Sequence, residues 1–199
     1  GEMVALQMLV AHDNHIDRIP EGILGCKVLS MLDIRNNRMH RLPVFLAQLP
    51  ALNDLQSDNN PLEFPHKKVL SMGKMNVLKY LRRFVDARKT RRLDLTRCGQ
   101  SEIPQEIAFV GERLVELDAS DMQRAAGINM PFEVGQCVNL EVAKFHPSLE
   151  ILSPPKAITK GGIKAIVSYL KRFNEAKHHG RLDLSGMELS DFPPELYDT

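Results

Sequence analysis

The densest cluster of reactive side chains in this 199-residue sequence places seven basic residues within fourteen positions. Lysine and arginine at this density can bind acidic proteins, phosphates or an anionic membrane surface. The same residues near a helix C-terminus complement the helix dipole, or pair with acidic neighbours. Both interpretations stay open from sequence. This set, called the basic run below, comprises Lys79, Arg82, Arg83, Arg88, Lys89, Arg91 and Arg92.

Candidates for catalysis or metal binding carry weak signals. Residues 12–15, His-Asp-Asn-His, contain ligand types but fall on the turn after an expected strand. His178 and His179 have no acidic or cysteine partner at ligand spacing. The sequence TKGGIK lacks the spacing of a phosphate-binding loop. We therefore predict no metal, no cofactor and no enzymatic activity.

Composition places the chain among globular proteins of a reducing compartment. Hydrophobic residues make up 43% and charged residues 26%, with a net charge of +1. Cys26, Cys98 and Cys137 are odd in number, far apart and without a CxxC pair, which speaks against disulfides and structural zinc. No signal peptide or membrane span is visible. The sequence thus predicts a cytoplasmic or nuclear protein, and we take the cytoplasm as the expectation.

A short repeat organises the first third of the chain. Asn14, Asn37 and Asn60 recur with a constant period of twenty-three positions, and the same order of apolar positions surrounds each. Two leucines two apart lie on one face of a short strand, and the asparagine amide can satisfy backbone groups at the turn that follows. One such coil cannot cover its own leucines, so coils must stack. The apolar positions of the central coil are Leu29, Leu32, Ile34, Met39, Leu42 and Leu46.

The segment LSMLDIRNNRMHRLPVFLAQLPA, residues 29–51, matches the pattern LxxLxLxxNxLxxLPxxLxxLxx of the leucine-rich repeat superfamily. The chain resembles the intracellular branch of that superfamily, which includes Shoc-like and plant Ras-group repeat proteins. The resemblance implies an α/β solenoid with a curved parallel β-sheet on its concave face. It also implies a scaffold in signalling, since members are typically scaffolds, and some are fused to a GTPase, kinase or ubiquitin-ligase module.

Non-leucine strand positions point outward by alternation and form the candidate partner-binding surface. Their mixture of apolar and charged side chains suits a protein surface better than a small-molecule pocket. An aspartate between strand leucines, as at Asp33, is also common in the superfamily and is weak evidence alone. This set, called the strand face, comprises Met8, Val10, His12, Met31, Asp33, Arg35, Asp54, Gln56 and Asp58.

A second, longer repeat has a constant offset of eighty-nine positions, which aligns Tyr80 with Tyr169 and Phe84 with Phe173. Apolar residues at helical spacing precede each pair, so two amphipathic helices interrupt the coils. These aromatics recur at core spacing rather than on a strand platform, which speaks against nucleic-acid binding.

The two repeats predict five segments. Regular repeats occupy residues 1–65, a basic amphipathic helix 66–92, degenerate repeats 93–155, a second basic helix 156–181, and a further repeat 182–199. Residues 123–129 replace the expected LxxLP motif and predict an irregular loop. Both ends fall inside a repeat, so we expect a piece of a longer protein.

Charge alternates along these segments. Net charge is −2 over residues 1–61, +8 over 62–92, −6 over 93–155, +6 over 156–181 and −5 over 182–199. The helices are therefore basic and the coils acidic.

The sequence predicts a non-catalytic scaffold that binds a partner protein through the concave face. Two alternatives stay open: the regulatory repeat region of a larger enzyme, such as a Roco-type GTPase-kinase, and a binder of anionic surfaces through the basic helices. Binding to an anionic surface should fall steeply as salt increases, whereas binding of a partner protein through the concave face should depend less on salt. Partner identity and oligomeric state do not follow from sequence.

Overall fold

A computed structural model of the chain describes residues 3–122 and 127–197. It is a mixed α/β structure whose contacts divide it into two compact units, Gly1–Val85 and Asp86–Thr199. Within the described ranges, no helix has the length and apolar character needed to span a bilayer. The elements are β1 (Met8–Val10), β2 (Met31–Asp33), β3 (Asp54–Gln56), α1 (Lys67–Ser71), α2 (Lys74–Thr90), β4 (Arg92–Asp94), β5 (Glu116–Ala119), β6 (Ile128–Asn129), β7 (Val142–Phe145), β8 (Ile151–Ser153), α3 (Lys156–Thr159) and α4 (Gly162–His179).

The first unit contains a three-stranded parallel sheet in the order β1-β2-β3. Leu9 pairs with Leu32 and Leu32 with Leu55, so the strand register repeats with the same period as the asparagines. Leu32 and Leu55 are each 1% exposed. Between strands the chain returns through 3₁₀ turns at Glu21–Gly25 and Val44–Gln48, each preceded by the proline of an LP-type dipeptide.

Asparagine side chains tie successive coils together. The Asn37 amide nitrogen donates to the backbone oxygens of Ala11 (2.9 Å) and Ile34 (3.1 Å), and its oxygen accepts from the Ile16 nitrogen (2.9 Å). Asn60 repeats this arrangement one coil later, accepting from the Met39 nitrogen. Buried backbone groups left without partners would cost free energy, which explains the asparagine at this position.

A second ladder runs through the residue before each asparagine. Asp13, Asn36 and Asn59 have φ of 57°, 55° and 56°, the left-handed region that Asp and Asn tolerate better than other side chains. Asn59 donates to Asn36, and Asn36 donates to Asp13, each over 2.7 Å. The turn geometry and the side-chain ladder therefore select the same residue types.

In the first unit, α1 and the N-terminal part of α2 follow the third coil. Phe64, Tyr80 and Phe84 pack as an aromatic cluster with ring centroids 5.4–5.9 Å apart. All three are buried, while Lys79 and Arg82 on the same helix are exposed. The amphipathic pattern is thus explained by the cluster that the helix covers.

The described residues of the second unit form two parallel sheets, β4-β5-β7 and β6-β8. Arg92 pairs with Glu116 and Glu116 with Val142, so successive strands here are separated by one and then three positions more than in the first unit. Insertions account for the weak repeat signal in this region.

The expectation of an irregular loop over residues 123–129 is partly wrong. Residues 123–126 lie outside the described part of the chain, but β6 covers Ile128–Asn129 and pairs with β8. Met130-Pro131 then takes the place of the LP dipeptide, because Pro131 precedes the 3₁₀ turn Phe132–Gln136 as Pro43 precedes its own turn. Methionine in the leucine position hid this repeat.

The structure extends the longer duplication beyond the aligned helices. Short helices α1 and α3 precede α2 and α4, and the peptide bonds before Pro65 and Pro154 are both cis. Gly73 and Gly162 both adopt positive φ at the starts of the long helices. The division into five segments stays a prediction, since the structure groups residues by contact rather than by repeat.

Candidate functional site

The strand face lies on one side of β1-β2-β3 and just past the strand ends. Met8 neighbours Met31, which neighbours Asp54; Val10 neighbours Asp33, which neighbours Gln56. Met8 is 57% and Val10 51% exposed, which is a high exposure for large apolar side chains. His12 and Asp58 are also exposed, while Met31, Arg35, Asp54 and Gln56 are half-buried.

Asp33 differs from the expectation of an outward, exposed carboxylate, because its side chain is only 3% exposed. It lies on the central strand, and Arg35 covers it with a two-pronged ion pair: Nη2–Oδ2 is 2.7 Å and Nε–Oδ1 is 3.0 Å. Hydrogen bonding to this guanidinium lowers the pKa of Asp33 to about 2. Asp33 therefore orients Arg35, and the guanidinium is the group presented at the surface.

Asp54 is also paired within the first unit. Lys74, the first residue of α2, places its Nζ 2.5 Å from Asp54 Oδ1, and Gln56 donates to Oδ2 over 3.3 Å. The hydrogen bond from Lys74 holds the pKa of Asp54 below its ordinary value. Sequence reasoning missed Lys74 as a member of this site because it belongs to the helix and lies far from the strand in sequence.

The histidine of the strand face belongs to the turn cluster. His12 Nδ1 lies 2.5 Å from Asp13 Oδ2. Hydrogen bonds from His12 and then Asn36 hold the pKa of Asp13 below its ordinary value. In the described ranges, no group of three or more His, Cys, Asp or Glu side chains is arranged to hold a metal ion. The Asn14 amide donates to the Ala11 and His12 oxygens, so residues 12–14 form a hydrogen-bonded bend.

A cavity of about 310 Å³ lies beside the strand face within the first unit. Its apolar lining includes Leu55, Leu62 and Val77, all buried. Its charged lining consists of Asp58, from the strand face, and Lys74, whose Nζ reaches Asp54. Lys74 thereby connects the cavity to the strand face.

The basic run does not lie on a single element. Lys79, Arg82 and Arg83 belong to the part of α2 in the first unit, where Lys79 and Arg82 are exposed and Arg83 is half-buried. Residues three and four apart share a helix face, so these three project from one side of α2.

In the second unit the run is held by local partners. Arg88 donates to the Phe109 oxygen (2.8 Å) and lies over the Phe109 ring at 5.1 Å. Lys89 is in the last turn of α2, and Arg91 follows with φ of 63°. These positions fit the interpretation in which basic residues cap a helix C-terminus.

Arg92 is on β4 rather than on the helix. Its Nη2 lies 3.6 Å from Glu116 Oε1 and 3.4 Å from Asp118 Oδ2. Lys144 Nζ contacts the same Glu116 oxygen at 2.6 Å. The sheet of the second unit thus carries its own ion-pair network, part of which sequence reasoning assigned to the basic run because it could not place the helix end.

The aspartates at equivalent positions of the repeat accept hydrogen bonds from the residue two positions further along the chain. Asp118 Oδ1 accepts from the Ser120 nitrogen and hydroxyl, and Asp183 Oδ1 accepts from those of Ser185. These bonds are the first cause of the lowered pKa of each aspartate. Asp94 makes the same pair of bonds with Thr96. The aspartate-x-serine/threonine pattern is therefore a turn motif.

Cys26, Cys98 and Cys137 are buried, and none of them forms a disulfide. Burial raises the pKa of the Cys137 thiol to about 12, far from the range in which thiolates react. A role in packing is the simplest account of all three.

No known protein-family profile matches the sequence. Structural comparison aligns 70% of the chain with a solved leucine-rich repeat protein of Leptospira interrogans, at 20% identity and a TM-score of 0.29. The chain spans 25% of the length of that protein. A likeness at this score does not establish a common fold.

Proposed function

We propose that the chain is a leucine-rich repeat solenoid that binds a partner protein non-catalytically through the strand face. The observation that carries this proposal is the sheet itself. Met8 and Val10 expose apolar side chains on a regularly spaced strand surface, beside the charged groups of Arg35, Asp54 and Asp58. Apolar anchors surrounded by polar groups are the arrangement found at protein interfaces.

The hydrogen bonds between coils support a binding surface that is formed before the partner arrives. The asparagine ladders and the ion pairs of Asp33 and Asp54 hold the strand face in place. A preorganised surface loses little conformational entropy on association. A role in signalling and a cytoplasmic location belong to the same proposal.

The test is quantitative affinity capture with this protein as bait. A face variant carries Met8→Glu and Val10→Glu, and a matched control carries Met72→Glu and Met75→Glu, which are 45% and 50% exposed in the same unit. All four side chains are exposed, so both variants should fold. A protein captured by wild type and control but lost with the face variant supports the proposal, and equal loss with both variants contradicts it.

The regulatory region of a larger enzyme remains compatible with this proposal, since a repeat surface can position an attached catalytic domain. An anionic-surface binder is less well supported, because Arg88 and Arg92 have local partners.

A further inference from the structure

The cavity beside the strand face points to the kind of partner side chain that this surface receives, an inference that rests on the proposed function. The cavity joins an apolar lining of Leu55, Leu62 and Val77 to two charged groups, Asp58 and Lys74. At about 310 Å³ it is at the lower limit of small-ligand pockets, and a single long side chain with its backbone would suit it.

The two charged groups differ in how far they are already neutralised. Lys74 Nζ is 2.5 Å from Asp54 Oδ1. Asp58 makes no ion pair within 4.0 Å among the described residues, and its carboxylate acts on the Arg35 guanidinium only through space, as one cause of the raised Arg35 pKa. Arg35 is itself committed to Asp33. Of the two charged groups at this cavity, the Asp58 carboxylate is therefore the one that can still form an ion pair with a ligand.

The surface around Asp58 is also negatively charged. The strand face, together with Asp13 bonded to His12 and Lys74 bonded to Asp54, carries four aspartates and two cationic side chains, a net charge of −2 with histidine neutral. A cation approaching this surface is attracted both by the whole face and by Asp58.

We propose that the cavity receives an arginine or lysine side chain from the partner protein. The aliphatic stem packs against the apolar lining while the charged head pairs with Asp58 at the rim. Apolar residues flanking that cation in the partner contact Met8 and Val10 on the strand face. The occupant is thus a basic-apolar segment of a protein.

A carboxylate occupant would have to draw Lys74 away from Asp54 and would leave Asp58 as a like charge nearby. The geometry therefore favours a cation over an anion. A second copy of this chain, which also carries exposed lysines and arginines, is the rival source of the same chemistry.

Three peptides on one scaffold test the proposal: acetyl-Ala-Leu-Arg-Leu-Ala-amide, the same peptide with citrulline in place of arginine, and the same peptide with glutamate. Citrulline keeps the shape of arginine and removes its charge. Amide NMR spectra of the labelled protein should show saturable shifts at residues 8–10, 55–60 and 73–77 with the arginine peptide. We expect binding about tenfold weaker with citrulline, because a hydrogen bond between two charged groups is replaced by one that involves a neutral donor.

The matched protein variants are Asp58→Asn and Asp17→Asn, both at exposed carboxylates of the same unit. Asp58→Asn should weaken the arginine peptide about tenfold and Asp17→Asn should not, with spectra of both variants showing an unchanged fold. Equal binding of the arginine and citrulline peptides, preference for glutamate, shifts elsewhere, or no binding at millimolar peptide would each overturn the proposal. Self-association abolished by Asp58→Asn would assign the occupant to a second copy instead.

The affinity capture described above is independent of this outcome. If a captured protein depends on Met8 and Val10 but the peptides do not bind, the protein-interaction function stands and the cation pocket is wrong. If capture shows no dependence on the strand face, the function fails while the pocket chemistry is still measured by the peptides.

Discussion

At the residue scale, asparagine and aspartate have structural roles that resemble a binding site when seen in sequence alone. Asn37 satisfies backbone groups of two coils, and Asp33 holds Arg35 while almost fully buried. Their short side chains place a polar group within reach of the backbone at turns. Each environment predicts a different effect of substitution on stability.

Asn37→Ala should destabilise the first unit by about 2 kcal/mol, because it leaves the Ile16 backbone nitrogen without its acceptor and removes the hydrogen bonds to the Ala11 and Ile34 oxygens. The control is Asn14→Ala, since Asn14 is exposed and its amide donates to Ala11 and His12 of its own coil. Chemical denaturation measures both. An equal loss for the two variants would show that the bonds between coils contribute nothing beyond those within a coil.

Asp33 should make the protein sensitive to acid over a defined range. Its pKa falls from 3.8 to about 2 in the folded state, so the stability it contributes is fully present above about pH 4 and is lost as pH falls towards 2. Asp33→Asn should be less stable at neutral pH, and the difference from wild type should shrink over that range. Unfolding free energies measured between pH 2 and pH 6 check this. A difference independent of pH would rule out the ion pair as its source.

At the element scale, one residue exchange between the two copies of the longer repeat changes the core beneath the long helix. Phe64 of the aromatic cluster corresponds, one longer repeat on, to Ser153. The Ser153 hydroxyl donates to the buried Glu195, and the Tyr169 hydroxyl donates to the other Glu195 oxygen over 3.1 Å. Burial and then the Glu195 charge raise the pKa of Tyr169 above its ordinary value, which keeps its hydroxyl a donor. The Ser153 hydroxyl and Glu195 thus take the place of the Phe64 ring, while Tyr169 and Phe173 keep their aromatic contact, with ring centroids 5.0 Å apart.

The second unit also depends on a glycine where a 3₁₀ turn meets α4. A Cβ added at Gly135 would lie 2.4 Å from the Lys171 nitrogen and 2.5 Å from the Leu170 carbonyl carbon, both backbone atoms that cannot yield cheaply. Phe132 of the same turn stacks on Phe173, with ring centroids 5.6 Å apart. This close approach allows α4 to cover the turn.

Gly135→Ala should therefore destabilise the protein by about 3 kcal/mol through overpacking. Gly22→Ala is the matched control, because Gly22 lies in a 3₁₀ turn of the first unit and a Cβ there meets nothing within 4 Å. Thermal unfolding of both variants measures the effect. A neutral Gly135→Ala would mean that α4 can move away from the turn at little cost.

At the scale of the whole molecule, a net charge of +1 conceals acidic coils and basic helices. Part of the basic charge is used locally, since Arg88 bonds to Phe109 and Arg92 pairs with Glu116 and Asp118. The basic side chains that stay exposed attract anions only over about 8–10 Å at physiological ionic strength, because dissolved salt screens their charge.

Association with anionic vesicles should accordingly be weak and disappear at physiological salt. Sedimentation with vesicles containing about a fifth phosphatidylserine, at low and then physiological ionic strength, measures this. Lys79→Glu with Arg82→Glu should abolish the low-salt signal. Binding that persists at physiological salt and depends on these two residues would instead establish the anionic-surface function.

The sequence by itself determined the local periodic features of this protein. Equally spaced asparagines predicted the register that pairs Leu9, Leu32 and Leu55, because one residue type solves the same backbone problem in every coil. The longer duplication predicted helices that the structure places at Lys74–Thr90 and Gly162–His179. Strand alternation placed Met8 and Val10 at the surface.

Tertiary structure alone decided how charged side chains are used, because burial and most of the ion pairs depend on residues distant in sequence. Asp33 is buried beneath Arg35, and Lys74 of α2 pairs with Asp54 of β3. Arg92 lies on β4 rather than on the predicted helix and pairs with Asp118 of β5. Tertiary structure also created the cavity that leaves Asp58 open to a cation. Repeating backbone hydrogen bonds leave a period in the sequence, whereas a single ion pair between two elements leaves none.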